Sequence, residues 1–587
     1  MKRFIPFFLL FSLFLFSQTS VLAQHLVREM SLSQQVSQSE QIIEGEVIKK
    51  KSVWNATKTK IYTVNTIKIY KTFKGQPAQE IEVITPGGRI GLMAEVVTPS
   101  LKLYKNQVGL FFLERSNENL SASGELSFEP YGSLQGFFHY DLKQDKAANL
   151  FKSFEGISEN LYSEITALTG DNYIVSNQLE KANPQRTISN NSTLAISNIS
   201  PNTATAGTKT LLTIEGSGFG STQWKVAFPY SDTGGSTYVE AFEHQIQSWT
   251  TSKIIVEIPS FAGTGPVRVE TFTGTEFFSD PLTISYAHIN LNDDDDGNPI
   301  NATREDLTQM INEDGTGGYT WLYNTEFNSN VAARESFRRA FDQWVCDGGV
   351  NWKIGGVNGT DNTESDGINL IRFDNGAEIP SNILGRATSY FNGCAVGEDI
   401  NWFVVEYDII FNDGTNWQYG PAAPTGNQID FETVAIHELG HAALLAHIIE
   451  PEAIMHYALA PSTAFRTLSA NDILGAEAMM NRSVNDPVCG QPAASYSACS
   501  LSTEDLLAKS ISIYPNPANK KFSIKTSSNI SIESISMHDV LGKRVLSSNL
   551  NSSSEINIIN VDNLSPGVYF ARIISEQGSL VKKVIIE

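Results

Sequence analysis

Phe4 to Phe16 is almost unbroken apolar sequence, preceded by Lys2 and Arg3 and followed by Val21-Leu22-Ala23 before Gln24. That is the pattern of a secretory signal over residues 1–23, and it is shorter than the roughly 20 apolar residues a membrane span needs. No later window is long and apolar enough, so the mature chain is expected to carry no membrane span. From Gln24 to about residue 175 the period becomes two. Thr63 to Tyr70 and Glu80 to Ile84 alternate, Val108 to Leu113 is an apolar run of strand length, and Lys146 to Leu168 has helical spacing. This predicts a mostly-β N-terminal domain of unknown role over 24–175, ending in a helix. A polar stretch from Asn177 to Asn191 reads as a linker. Short strands punctuated by Gly207, Gly216-Ser217-Gly218 and Gly265-Pro266 then predict a β-sandwich over 192–288.

The pattern over 289–483 is mixed. Val331 to Cys346 carries Ala332, Phe337, Ala340, Phe341 and Trp344 on one helical stripe. Ile368 to Phe373 and Val404 to Asn412 read as strands, Phe431 to Leu444 as a helix, and Thr467 to Ala476 as a capped final helix. After a linker over 484–504, short alternating runs over 505–587 predict a second small β-sandwich. They are Phe522–Lys525, Ile532–Met537, Ile556–Ile559, Val568–Ile574 and Val581–Ile586. The expected fold is therefore multidomain: an all-β N-terminal domain, a β-sandwich, an α+β domain and a C-terminal all-β sandwich.

Charge sharpens this picture locally. The net charge of −22 argues against nucleic-acid binding, which needs clustered Lys and Arg. Residues 290–482 hold 29 acidic and 9 basic residues, a net of −20, whereas 505–587 is +2. The acidity thus belongs to the α+β domain, which should favour cations. Asn292 to Gly297 presents alternate carboxylates before a glycine, with Asp294 and Asp296 as candidate calcium ligands; an acidic linker explains the run equally well. Four cysteines in an exported chain allow three disulfide pairings. Cys489 and Cys499 are close enough in sequence to close a small loop, which would leave Cys346 and Cys394 to staple the α+β domain.

The informative chemistry lies between 430 and 460. Four of the nine histidines fall there: His437, His441, His447 and His456. On a helix capped by Asp430, His437 and His441 project one turn apart from one face, where two imidazoles reach one ion. Glu438 lies about 100° further round, able to reach a water on the metal without binding it. Zn²⁺ fits this donor set and lowers the pKa of its water. His447, six residues after His441, returns to the site only if the chain turns; His456 and Glu450 are fallback ligands.

The order HExxHxxxxxH, then Met455 eight residues after His447, then a short capped helix, resembles the matrixin branch of the metzincin zinc peptidases. The resemblance covers roughly Asn290 to Arg482. It implies an α+β metzincin catalytic domain in which His437, His441 and His447 hold Zn²⁺, Glu438 is the general base and Met455 packs beneath the site. It implies also that Val404 to Asn412 is the edge strand that pairs with substrate. Tyr457, two residues after Met455, resembles the Met-turn tyrosine of astacins and is a candidate auxiliary group. One departure stands out: the family has Gly three residues before the third histidine, and here that position is Leu444. Residues 192–288 resemble the IPT/TIG immunoglobulin-like module. Tyr514-Pro515-Asn516-Pro517, Leu541-Gly542-Lys543, Leu564-Ser565-Pro566-Gly567-Val568-Tyr569 and Lys582-Lys583 resemble the C-terminal sorting domain of Bacteroidetes type IX secretion. Together these imply a protein exported through the periplasm and outer membrane, secreted or held at the cell surface. Its partners would be the secretion machinery and protein or peptide substrates, which a zinc-dependent metalloendopeptidase would cleave. The alternative is a weakly active or inactive surface adhesin on the same scaffold.

Overall fold

The computed structural model describes residues 24–25, 27–118, 120, 127–179, 195–292, 305–376, 378–397, 399–459, 464–499, 511–526, 531–539, 543–552, 556–575 and 578–587. Asp294 and Asp296 lie outside them, so the calcium expectation has no structural support. The described chain is mostly strand. Residues up to Ser497 form one compact unit and Ala498–Glu587 a second. No described helix is long and apolar enough to cross a membrane.

In the N-terminal domain, strands Gln41–Trp54, Ile61–Lys74, Glu80–Pro86, Ser127–Pro130 and Val108–Arg115 pair in a closed ring. Closure removes exposed strand edges. The expected long helix over 146–168 does not form. Asn149 accepts from the amides of Phe151 and Lys152 at 2.9 Å each, a side-chain turn that competes with helix. Gly156 then takes a left-handed φ of 77°. Lys146–Ala148 and Ser153–Glu155 are strands, and regular α-helix is confined to Tyr162–Thr169.

The next module is a sandwich of a four-stranded and a five-stranded sheet, as the turn spacing predicts. Its last strand, Glu276–Ala287, runs straight into the α+β domain. There, His288 bridges Leu445, and the Ile289 amide donates to the Leu444 carbonyl at 2.8 Å. One hydrophobic core runs without interruption from Leu212 and Val267 of the sandwich to Leu444 and Met480.

The α+β domain is built on a sheet ordered Trp352–Asn358, Tyr319–Asn324, Asn369–Phe373, Asp399–Phe411, Gly385–Val396. Its first four strands are parallel and the last is antiparallel. Asp399–Phe411, the expected edge strand, is therefore interior. Its near-continuous buried run (Trp402, Val404, Tyr407, Ile409, Phe411) is the mark of a strand covered on both faces. Even Gly385–Val396 is not an edge. Met93–Thr98, from the N-terminal domain, pairs with it antiparallel from Ala387↔Thr98 to Asn392↔Met93. Helix Val331–Cys346 spans the predicted residues and packs against helix Phe431–Ala442, the Trp344 indole donating to the Ile436 carbonyl at 2.7 Å.

The expected disulfides are not the observed ones. Cys394 is bonded to Cys489, 5.7 Å apart at Cα. The chain leaving the last helix brings Cys489 against the hairpin that carries Cys394, where its sulfur reaches the Asn401 carbonyl beside that strand. No cysteine is free. Nor is the whole of 484–504 a linker. The last helix extends over Ala470–Asn485, and buried Val488 and Ala494 pack back onto the domain.

The second unit is a sandwich of three and four strands around Phe522, Ile535, Met537 and Ile573. Strand Arg544–Ser552, rich in Ser and Asn, gives no apolar alternation in the sequence, yet it pairs along Ile532–Asp539.

Candidate metal centre

The site grows from helix Phe431–Ala442, all twelve residues of which are buried. Asp430 caps it, accepting from the Thr433 amide at 2.9 Å, and is itself held by Arg466. His437 and His441 project from one face, and their Nε2 atoms are 3.0 Å apart. His447 Nε2 is 3.2 Å from each. Three nitrogens bound tetrahedrally to one zinc at about 2.0–2.1 Å would lie roughly 3.3 Å apart, so the arrangement fits that ion. Among the described residues this is the one cluster of three or more such side chains that could hold a metal.

Each imidazole is oriented from behind. Nδ1 of His437 donates to the Ile454 carbonyl at 2.7 Å, that of His441 to the Leu445 carbonyl at 2.9 Å, and that of His447 to Asp232 Oδ1 at 2.7 Å. A proton on Nδ1 leaves the Nε2 lone pair free for a metal. Burial, reinforced by mutual repulsion, drives His437 well below its usual pKa and His441 down to about 3. Both are thus neutral, the ligating form.

His447 returns because the chain reverses at Leu444. That residue adopts φ 62°, the left-handed conformation that glycine takes without strain. The strain, about 1–2 kcal/mol for a residue with a side chain, is offset locally. The Leu444 amide donates to the His441 carbonyl at 2.9 Å, and the Leu445 amide to the Gly440 carbonyl at 3.0 Å. The leucine side chain is fully buried in the common core. The departure seen in the sequence is therefore one of residue type, and the backbone turn is kept.

Glu438 is fully buried, and neither carboxylate oxygen has a hydrogen-bond partner among the described residues. Burial pushes its pKa well above the usual range, against the opposing charge of Arg386 and the amide of Ala387. An orphaned carboxylate on the residue that follows His437 in the site helix is a group that a metal-activated water could satisfy. The antiparallel strand runs directly over it. A Cβ on Gly385 would come within 2.9 Å of Glu438 Cγ, so the strand's close approach depends on that glycine.

Met455 is buried beneath the helix. Its sulfur lies 2.1 Å from where a Cβ on Gly440 would sit, so Gly440 makes room for the methionine. Asp472 fixes this turn, accepting from the amides of Ile454 at 3.0 Å and Met455 at 3.2 Å while its own amide bonds the helix cap Ser469. His456 is turned away, accepting from the Glu450 amide through Nδ1 at 3.1 Å, and neither it nor Glu450 joins the cluster. The Tyr457 ring packs against Gly234 of the sandwich module.

Sequence reasoning missed Asp232, Arg386, Gly385 and Asp472. Asp472 sits within a recognisable capping box. The others carry no local signal, since strand pairing and domain packing alone bring them to the site.

Two N-terminal segments pair with chain that flanks the site. Gln24–His25 pairs with Ala458–Leu459, just past the methionine turn. Val27 bridges Ile383, and the Arg28 amide donates to the Asn382 carbonyl at 2.6 Å, just before the strand over Glu438.

Residues 318–480 match the family model for matrixins, 194–286 that for the IPT/TIG domain, and 512–587 that for the secretion system C-terminal sorting domain. The sorting tail indicates type IX secretion to the cell surface or extracellular space. With the matrixin match it makes this a secreted, metallopeptidase-like protein. No curated protein matches the chain. Among solved structures it is similar to a "Biofilm associated protein - BSP domain" over 92% of this chain and 81% of that one, at 9% identity. The TM-score of 0.13 is too low to carry an argument about fold or function.

Proposed function

We propose that this chain is a zinc-dependent metalloendopeptidase acting on extracellular proteins. One observation carries the reading: three Nε2 atoms lie within 3.2 Å of one another, and the helix that carries two of them also carries a buried glutamate whose carboxylate oxygens have no hydrogen-bond partner among the described residues. His437, His441 and His447 would hold the ion. When bound, zinc supplies a Lewis acid that polarises the scissile carbonyl and acidifies a water. Glu438 accepts the proton of the attacking water and returns it to the leaving amine nitrogen as the C–N bond breaks. Met455 and Asp472 keep the floor of the site rigid. No step is assigned to Tyr457, and calcium has no part in the reading.

The reading includes latency. Met93–Thr98 takes the strand edge to which an extended peptide would add, while Gln24–His25 pairs with Ala458–Leu459 after Met455 and Val27 bridges Ile383 before that strand. The conformation described is thus the inhibited form, and activity follows release of these segments. Mass spectrometry of the secreted protein, with casein cleavage by each species, tests this. Cleavage confined to species lacking residues 24–98 is expected; equal cleavage by the intact chain would contradict latency.

A further inference from the structure

Two zinc ligands are held by backbone carbonyls of their own domain, but the third is not. Nδ1 of His447 bonds Asp232, which lies in the sandwich module, 215 residues earlier. Asp232 is buried, with its side chain 8% exposed. Its second oxygen accepts from the Tyr230 hydroxyl at 2.8 Å. Lys102 of the N-terminal domain, half-buried with its ammonium 3.7 Å from the centre of the Phe261 ring, attracts the same carboxylate. The loop is seated firmly, because Gly234, two residues on, has no room for a side chain against the Tyr457 ring.

Resting on the zinc reading above, we infer that Asp232 is a positioning residue of the metal centre, which makes the immunoglobulin-like module a structural part of the active site rather than a spacer. The carboxylate fixes the tautomer and ring plane of His447 and raises the basicity of its Nε2. In the latent form the N-terminal domain adds the Lys102 charge to the same carboxylate; the bond from the sandwich module to His447 does not depend on it. The backbone junction of Ile289 with Leu444 anchors the turn that leads to the same histidine. This explains why sandwich and peptidase share one core. Their relative placement fixes a metal–ligand geometry that tolerates little play.

The test uses the full-length protein and measures zinc affinity by chelator competition. Thermal unfolding is followed with and without zinc. Wild type should bind one zinc tightly. Asp232→Ala should fold and bind zinc about 10–100-fold more weakly, as for loss of other outer-shell partners. Asp232→Asn should lose less, because its amide oxygen still accepts from Nδ1, and Tyr230→Phe less again. If wild type binds no zinc, the metal reading itself fails. If wild type binds zinc and folded Asp232→Ala matches it within twofold, only the positioning role is overturned. Should Asp232→Ala fail to fold, Asp232→Asn decides by the same criterion. Failure of both to fold even in excess zinc would assign the carboxylate to the domain junction and overturn the proposal.

Discussion

The two halves of the candidate metal centre are built differently. His437 and His441 belong to one buried helix, one turn apart, each tied to a carbonyl within twenty residues in sequence. His447 belongs to an irregular loop, reached through a strained residue, and is tied to a carboxylate in another module. The helical half depends on local periodicity and burial. The loop half depends on how the sandwich module and the α+β domain pack. Substitutions in the first should remove the metal outright, whereas substitutions in the second should loosen it in steps.

The largest effect expected is on the helical half. His441→Ala should weaken zinc by more than the 10–100-fold of an outer-shell loss, with the fold retained, since the ion and not the imidazole packing is what disappears. Equilibrium dialysis with metal analysis checks this; retention of one tight zinc would break the contrast at its stronger end. Next comes Leu444→Gly. Relief of the positive φ returns about 1–2 kcal/mol, but losing a fully buried leucine costs about 2–5 kcal/mol. The variant should be less stable by about 2 kcal/mol in denaturant unfolding, and a gain in stability would show that the strain outweighs the packing.

Acidity probes the junction. Burial, aided by Arg482, holds His288 neutral, with its pKa pushed down to about 3. A histidine with a lowered folded pKa binds fewer protons folded than unfolded between that value and about 6.5, so it loses stability as pH falls through this window. Its share from pH 7 to pH 5 is about 2 kcal/mol. His288→Gln should therefore flatten the unfolding-midpoint profile over this range relative to wild type. Parallel profiles would remove His288 from the account. Smallest of all, Trp344→Phe loses the indole bond to the Ile436 carbonyl and should cost about 1 kcal/mol without changing zinc affinity.

What was legible in the sequence follows the same division. Helix Val331–Cys346, the site helix with its histidine pair on one face, and the capped last helix are all readable, because 3.6-residue periodicity and capping are local. The turn at Leu444 was visible only as an anomaly of residue type. Asp232 was invisible, since nothing in Tyr230-Ser231-Asp232-Thr233 signals a partner 215 residues away. The edge strand was misassigned for a related reason. An apolar run such as Val404–Phe411 reports burial, but not which strands lie on either side, and here the N-terminal domain supplies the outermost pair. The disulfides failed on the same ground, because sequence proximity favoured Cys489 with Cys499 while packing set Cys489 beside Cys394.

The central claim is that Glu438 works as a base on water activated at the three-histidine site. Its most direct test is cleavage of a defined peptide by the released, zinc-loaded protein and by Glu438→Ala, each with and without chelator. The account predicts turnover by wild type that chelator abolishes and zinc restores. The variant should keep its zinc and be slower by about 10²–10⁴-fold. Equal rates for the two zinc-loaded proteins, or wild-type turnover indifferent to chelator, would contradict it.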